Sequence, residues 1–267
     1  MKKNVITIWL DMVNALIILT LYAGALFLAL CVVDMTGLDS VFQSLSFEPL
    51  GILLSVLAHA CLWIFFLPIL LFFLRTILPR LEEGSFDVPS RGLMVWMIHL
   101  ALSRSLSLVP VGSVVYFFSI LRFLYLRALG CKNAFRINTS LSVSITDFPL
   151  LTIADGAFLA DKVTVSCHEF VDGKLKLKRV HIGKDCRILI NSVIAPGTYM
   201  EEGVVVGQQC TTTRCYLEKG SRVHHNTIAA EVRVPRGKTY FFLPRNPEEH
   251  KHPDFEAYRH PGNGAAS

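Results

Sequence analysis

The chain has 267 residues, 52% of them hydrophobic and only 18% charged, with a mean hydropathy of +0.47. That is too apolar for an ordinary soluble domain, and it excludes a disordered or collagen-like chain. The formal charge of +5 is uneven: residues 1–121 hold 6 basic and 7 acidic side chains, leaving 20 basic and 14 acidic ones for residues 122–267. The chain therefore reads as a helical membrane region over 1–128, a mildly basic water-facing domain over 129–246 and a loosely ordered tail over 247–267. The seven cysteines form no C-x-x-C pair, which argues against a disulfide scaffold or a zinc cluster and for reduced thiols.

Met12 to Val33 is 22 residues without a charge, about 33 Å of helix, and is read as a retained span rather than a cleaved signal. Pro49 to Leu74 adds 26 more, with Pro68 inside and Trp63 near the middle. Between them lie Asp34, Asp39 and Glu48 and no basic residue, whereas Lys2, Lys3, Arg75 and Arg80 flank the outer ends. The excess of Lys and Arg on one side places both outer ends in the cytoplasm. Gly92–Ser103 and Ser105–Leu121 are each short for a full span and suit re-entrant or interfacial helices, with Arg122 and Arg127 toward the head groups; a short pair of crossings is the competing reading. Either is an even number of crossings, so the expected location is a multi-pass protein of the inner, cytoplasmic membrane, with the N-terminus and the second half on the cytoplasmic side. His59 and His99 in the apolar runs are read as hydrogen-bonded to neighbouring helices rather than as lining a cavity.

The second half repeats with a period of six. Aliphatic residues stand at Ile153, Leu159 and Val165 and again at Ile182, Ile188, Ile194, Met200 and Val206, with small residues between them. This is the pattern of a parallel β-solenoid, in which three short strands complete a triangular coil and inward side chains stack on those of the next coil. Gly156, Gly183, Gly197, Gly203 and Gly207 are assigned to corners that need a positive φ. Val165 to Ile182 is 17 residues, not a multiple of six, so Glu169–Arg179 is read as a loop that leaves the coil just after His168. Loops on a rigid scaffold are where function concentrates.

These segments, VTVSCHEF and IGKDCRILINSVIAPGTYMEEGVVVGQQCTTTR, resemble the hexapeptide-repeat acyltransferases of the galactoside and maltose O-acetyltransferase group. With the lead-in LRALGCKNAF after membrane helices, the chain is more similar still to the membrane-associated terminal region of polylysine-synthetase-like peptide synthetases, over roughly residues 120–245. The resemblance implies a left-handed parallel β-helix, a homotrimer with sites between adjacent solenoids, and acetyl-CoA or another acyl-CoA as co-substrate, with no metal. His168 matches the family's general base, a role suited to an imidazole near neutral pH. Glu169 is the candidate to orient it, and Asp147, one coil earlier, is the candidate acceptor contact. For coenzyme A the matching positions are Gln208, Thr213 and Arg214, with Arg236, Lys238 and Arg245 offered to the 3′-phosphate. Bulky Gln208 and Gln209 replace the small residues the family shows where the pantetheine arm passes.

The expected function is a membrane-anchored acyltransferase that acylates a hydroxyl or amine of a lipid or lipid-linked saccharide, with no nucleic-acid partner. The alternative is a non-catalytic trimeric solenoid scaffold in a membrane biosynthesis or export assembly. A zinc enzyme on the same fold is disfavoured, because His168 and His181 are wrongly spaced for a ligand set.

Overall fold

A computed structural model describes residues 2–43, 48–104 and 111–241. Two long helices come first: α1 (Lys2–Thr36), followed by the short α2 (Leu38–Gln43), and α3 (Glu48–Ile77). Ala15–Thr36 and Pro49–Ile77 are long and apolar enough to cross a membrane, and only 22% and 17% of their most apolar windows are buried within the chain. A core helix of a soluble protein would hide that surface; here Phe27, Ile52 and Phe73 stand exposed. The two helices pack through an edge-on contact of Tyr22 with Trp63 at 5.1 Å, and the Trp63 indole donates to the Tyr22 carbonyl at 3.2 Å. His59 bonds the Ser55 carbonyl of its own helix rather than a neighbouring one.

Beyond α3 the apolar sequence breaks into α4 (Arg91–Arg104), α5 (Val111–Phe117) and α6 (Ser119–Ala128). The 14 residues of α4 rise about 21 Å, short of a hydrocarbon core of about 30 Å. It buries Leu93, Trp96, His99 and Leu102, a stripe at helical spacing. Arg122 is not at a head-group surface as the sequence suggested. It is 5% exposed and donates to the carbonyls of Tyr116 and Ile137, so it braces α6 against the first coil. Arg75 donating to the Ala128 carbonyl and Tyr125 donating to the Ile64 carbonyl tie α3 to α6.

The fold class expected from the hexads is present: apolar helices followed by a parallel β-solenoid of six coils, whose three faces hold six, six and five strands. Coil one runs through Lys132–Asn133, Asn138–Thr139 and Ser144–Ile145, and coil two through Leu151–Ile153, Phe158–Leu159 and Thr164–Val165. Coils three and four continue from Val180–Ile182 to Thr211–Thr213, and coils five and six from Tyr216–Leu217 to Thr239–Tyr240. The register stacks Ile153, Ile182, Met200, Leu217 and Val234 on one ladder and Leu159, Ile188, Val206 and Val223 on the next, all essentially buried. Side chains that point inward at every turn give a single continuous core.

The glycines divide into two kinds. Gly156, Gly197 and Gly203 have positive φ as expected, but Gly183 and Gly207 do not. Those two are there because coils approach too closely for a side chain: a Cβ on Gly183 would lie 2.4 Å from the Glu201 carbonyl oxygen, and one on Gly207 would lie 2.6 Å from the His225 nitrogen.

The excursion after coil two is a hairpin, not an open loop. Strand His168–Val171 returns as Lys174–Leu177, and the latter pairs antiparallel with Gly84–Asp87, the short strand between α3 and α4. Ion pairs Arg179–Glu83 at 3.1 Å and Lys174–Asp87 at 3.1 Å close the two ends of that seam. The solenoid's only long excursion among the described residues is thus sewn to the helical region.

Candidate active site

The corner that follows the third strand of each coil forms one edge of the solenoid, and the polar side chains converge there. In coil one it is Asp147, held at φ 55°, ψ 40° before the short 3-10 turn Phe148–Leu150. Asp tolerates this left-handed conformation better than most residues, and here it turns the carboxylate inward. In coil two the chain passes Ser166 and Cys167 and enters the hairpin at His168, directly above Asp147. His168 Nδ1 lies 2.6 Å from Asp147 Oδ2, and the Asp147 side chain has no exposed surface whereas His168 keeps 24% of its own.

Asp147 is the hub of four donors. The Trp96 indole N–H reaches Oδ1 at 2.8 Å, and the Cys167 backbone N–H and the Thr146 hydroxyl reach Oδ2 at 3.0 and 3.1 Å. Burial pushes the Asp147 carboxyl up, but the hydrogen bond and charge of His168, then the Trp96 and Cys167 donors, outweigh it and hold the group below its ordinary value. An ionised carboxylate on Nδ1 favours the tautomer with the proton there, which leaves the Nε2 lone pair free to accept. The Trp96 ring packs edge-on to His168 at 4.8 Å and to Phe170 at 5.6 Å, so the imidazole is gripped from α4 as well as from the solenoid. Cys167 beside it is buried, and burial pushes its thiol well up, so it is no nucleophile.

Of the residues singled out from sequence, His168 and Asp147 are brought together, with Asp147 as the partner of the imidazole rather than a free acceptor contact. Glu169 turns away from His168 and pairs with Arg214 at 2.9 Å, two coils further along the same edge. Arg214, at φ 46°, also lies 2.9 Å from Glu231, so two carboxylates face the guanidinium expected to meet a phosphate. Thr213 donates to the Pro196 carbonyl at 3.3 Å. The backbone N–H of Gln208 donates to His225 Nδ1 at 2.8 Å, and Gln208 sits at the opposite end of strand Thr211–Thr213 from Thr213 and Arg214. Arg245 lies outside the described residues. His181 stacks on Tyr199 at 4.4 Å, and no group of three metal-ligating side chains occurs among the described residues.

Trp96 was missed from sequence. It lies 51 residues from Asp147, on a helix whose apolar pattern gives no sign of a catalytic contact.

The class that fold and site define is a parallel β-solenoid carrying a histidine–aspartate dyad on one edge, braced by apolar helices. The chain is 30% identical over 138 residues to the delta-poly-L-ornithine synthetase of Acinetobacter baumannii, a match that covers 51% of this chain and 10% of that one. This chain thus spans about a tenth of the length of the curated relative it matches. Among solved structures it is similar to serine acetyltransferase isoform 3 of Entamoeba histolytica, at a TM-score of 0.25 and 10% identity over 81% of this chain and 72% of that one. No family model matches.

Proposed function

We propose that the chain is a membrane-anchored acyltransferase that uses His168 as general base. The observation that carries this is the His168–Asp147 pair: a buried, ionised carboxylate on one imidazole nitrogen, and the other nitrogen at a partly open edge. His168 Nε2 takes the proton from an acceptor hydroxyl or amine as that group attacks the carbonyl carbon of an acyl thioester. The carbon–sulfur bond then breaks, the thiolate leaves, and the proton on Nε2 passes to it; Asp147 stabilises the transient imidazolium. Acetyl-CoA is the donor this reading favours. Since Gln208 and Arg214 are already engaged, the donor meets the edge beside His168 rather than in the pose the resemblance implied. Side-by-side packing of three solenoids would close that open edge against a neighbour.

The anchor is the second part of the reading. The two apolar helices hold the dyad near a bilayer, and the acceptor is then a lipid or a lipid-linked saccharide rather than a freely diffusing sugar. A scaffold with no chemistry is the rival, favoured by the engaged state of Gln208 and Arg214. It gives no reason to bury an ionised aspartate against a histidine, which costs several kcal/mol in the absence of a partner.

The test is turnover of acetyl-CoA by the purified chain in membranes. His168→Ala and Asp147→Asn are each expected to lower transfer about 10²–10⁴-fold, the range that general-base catalysis contributes. Wild-type rates in His168→Ala would overturn the general-base assignment, whereas no turnover and no detectable binding of acetyl-CoA by calorimetry would leave the scaffold as the surviving reading.

A further inference from the structure

A cavity of about 410 Å³ lies between the turn after α3, strand Gly84–Asp87, the first turns of α4 and Leu177 of the hairpin. Its walls are apolar, formed by Leu81, Phe86, Val95 and Leu177, and its rim carries Arg80, Arg91 and Glu82. The neighbouring carboxylates are already committed, Glu83 to Arg179 and Asp87 to Lys174. Among the described residues neither Arg80 nor Arg91 has an ion pair, so the rim sets two guanidinium groups against the single carboxylate of Glu82.

Two features connect this cavity to the dyad. Antiparallel register puts Gly84, Leu177 and His168 in one row and Phe86, Leu175 and Phe170 in the next, so all six share one face of the three-stranded sheet. Helix α4 roofs that face: the Phe86 ring lies where a Cβ on Gly92 would stand, and Trp96 covers His168 and Phe170. With strands about 4.8 Å apart, the cavity wall at Gly84–Asp87 is about 10 Å from His168. Arg80 also stands three residues past Ile77, the end of the second apolar helix, at the depth of a lipid head group when that helix spans.

We propose that this cavity binds the net-anionic phosphate of an amphiphile, with Arg80 and Arg91 as its two donors, and that the acceptor acylated at His168 is of this class. The second clause rests on the acyltransferase reading; the first does not. Guanidinium pairs suit phosphate because each offers parallel N–H donors. The apolar walls take the first methylenes of the chain, and a hydroxyl or amine that the head group carries about 10 Å beyond the phosphate would reach Nε2.

The experiment is calorimetry on the full-length protein in maltoside micelles, titrated with dihexanoylphosphatidic acid, dihexanoylphosphatidylcholine or inorganic phosphate. Saturable binding of the phosphatidic acid is expected, at least tenfold weaker in the Arg80→Ala/Arg91→Ala variant and several-fold tighter in Glu82→Gln. Inorganic phosphate should bind at least tenfold more weakly and phosphatidylcholine should not saturate. The arginines are exposed, so the double variant should keep the wild-type melting temperature. The proposal is overturned by unchanged binding in the double variant, by equal binding of phosphatidylcholine, or by inorganic phosphate binding as well as the lipid. His168→Ala should bind like wild type. Binding without turnover in the wild type would sink the transferase reading and leave the site standing; turnover without binding would do the reverse.

Discussion

Asp147 shows how much a single side chain can carry here. It turns a strand corner, accepts from four donors and orients the imidazole one coil above. Of those donors only Trp96 comes from outside the solenoid, at 2.8 Å. Its indole N–H draws off part of the carboxylate's charge, so removing it should make Asp147 a stronger partner for imidazolium. Trp96→Phe keeps a ring against His168 but deletes that donor. A hydrogen bond to a charged group contributes about 1.5–3 kcal/mol, and one pH unit corresponds to about 1.4 kcal/mol. Only part of that change reaches the imidazole, so the acid limb of the pH–rate profile should move to higher pH by less than the roughly 1–2 units the full amount would give, with activity regained there. A uniform loss across the pH range would mean that Trp96 only packs. The Asp147 carboxyl is itself held below its ordinary value in the folded protein, so its contribution to stability is present above about pH 4 and is lost as pH falls through the lowered folded value.

At the scale of elements, the coils were legible where every strand of a coil ends on an aliphatic side chain that points inward, from Ile153 to Val206. They were illegible at both ends for a physical reason. Coil one places Asn133 and Thr139 at the inward positions, and after Met200 the ladder shortens from 18 to 17 residues per coil, as the register Met200↔Leu217↔Val234 shows. A six-residue template slips there, although the backbone continues. His168 was legible because it ends a strand at a break in the period. Its partner's role was not: Glu169 is adjacent in sequence, but strand alternation sends it to the other side of the hairpin, toward Arg214. The inter-coil contacts make a sharp prediction. Gly183→Ala forces a Cβ against backbone that cannot move without parting coils three and four, an overpacking cost of about 1–3 kcal/mol. Gly220, at φ 69° with no atom within 4 Å of its missing Cβ, should accept Asn at little cost. Thermal melts of the two variants should therefore separate clearly, Gly183→Ala well below wild type and Gly220→Asn close to it. Equal melting temperatures would mean that coil spacing is looser than the register implies.

For the whole molecule, the seam between helices and solenoid matters more than either part. Strand Gly84–Asp87 completes the sheet that holds His168, and α4 supplies Trp96, so the dyad is finished by the segment that joins the apolar helices to the coils. On the acyltransferase reading proposed above, the chain would work on what lies in its own bilayer, because the acceptor's concentration at the dyad would be set by its mole fraction there and not by its amount per volume of solution. With the chain in vesicles and acetyl-CoA in excess, diluting an acceptor lipid with neutral phosphatidylcholine at constant bulk amount should lower the initial rate in proportion to mole fraction. A water-soluble acceptor of the same head group should be acylated far more slowly at equal bulk concentration. A rate indifferent to surface dilution would mean that the helices only tether the solenoid, and that the acceptor arrives from solution.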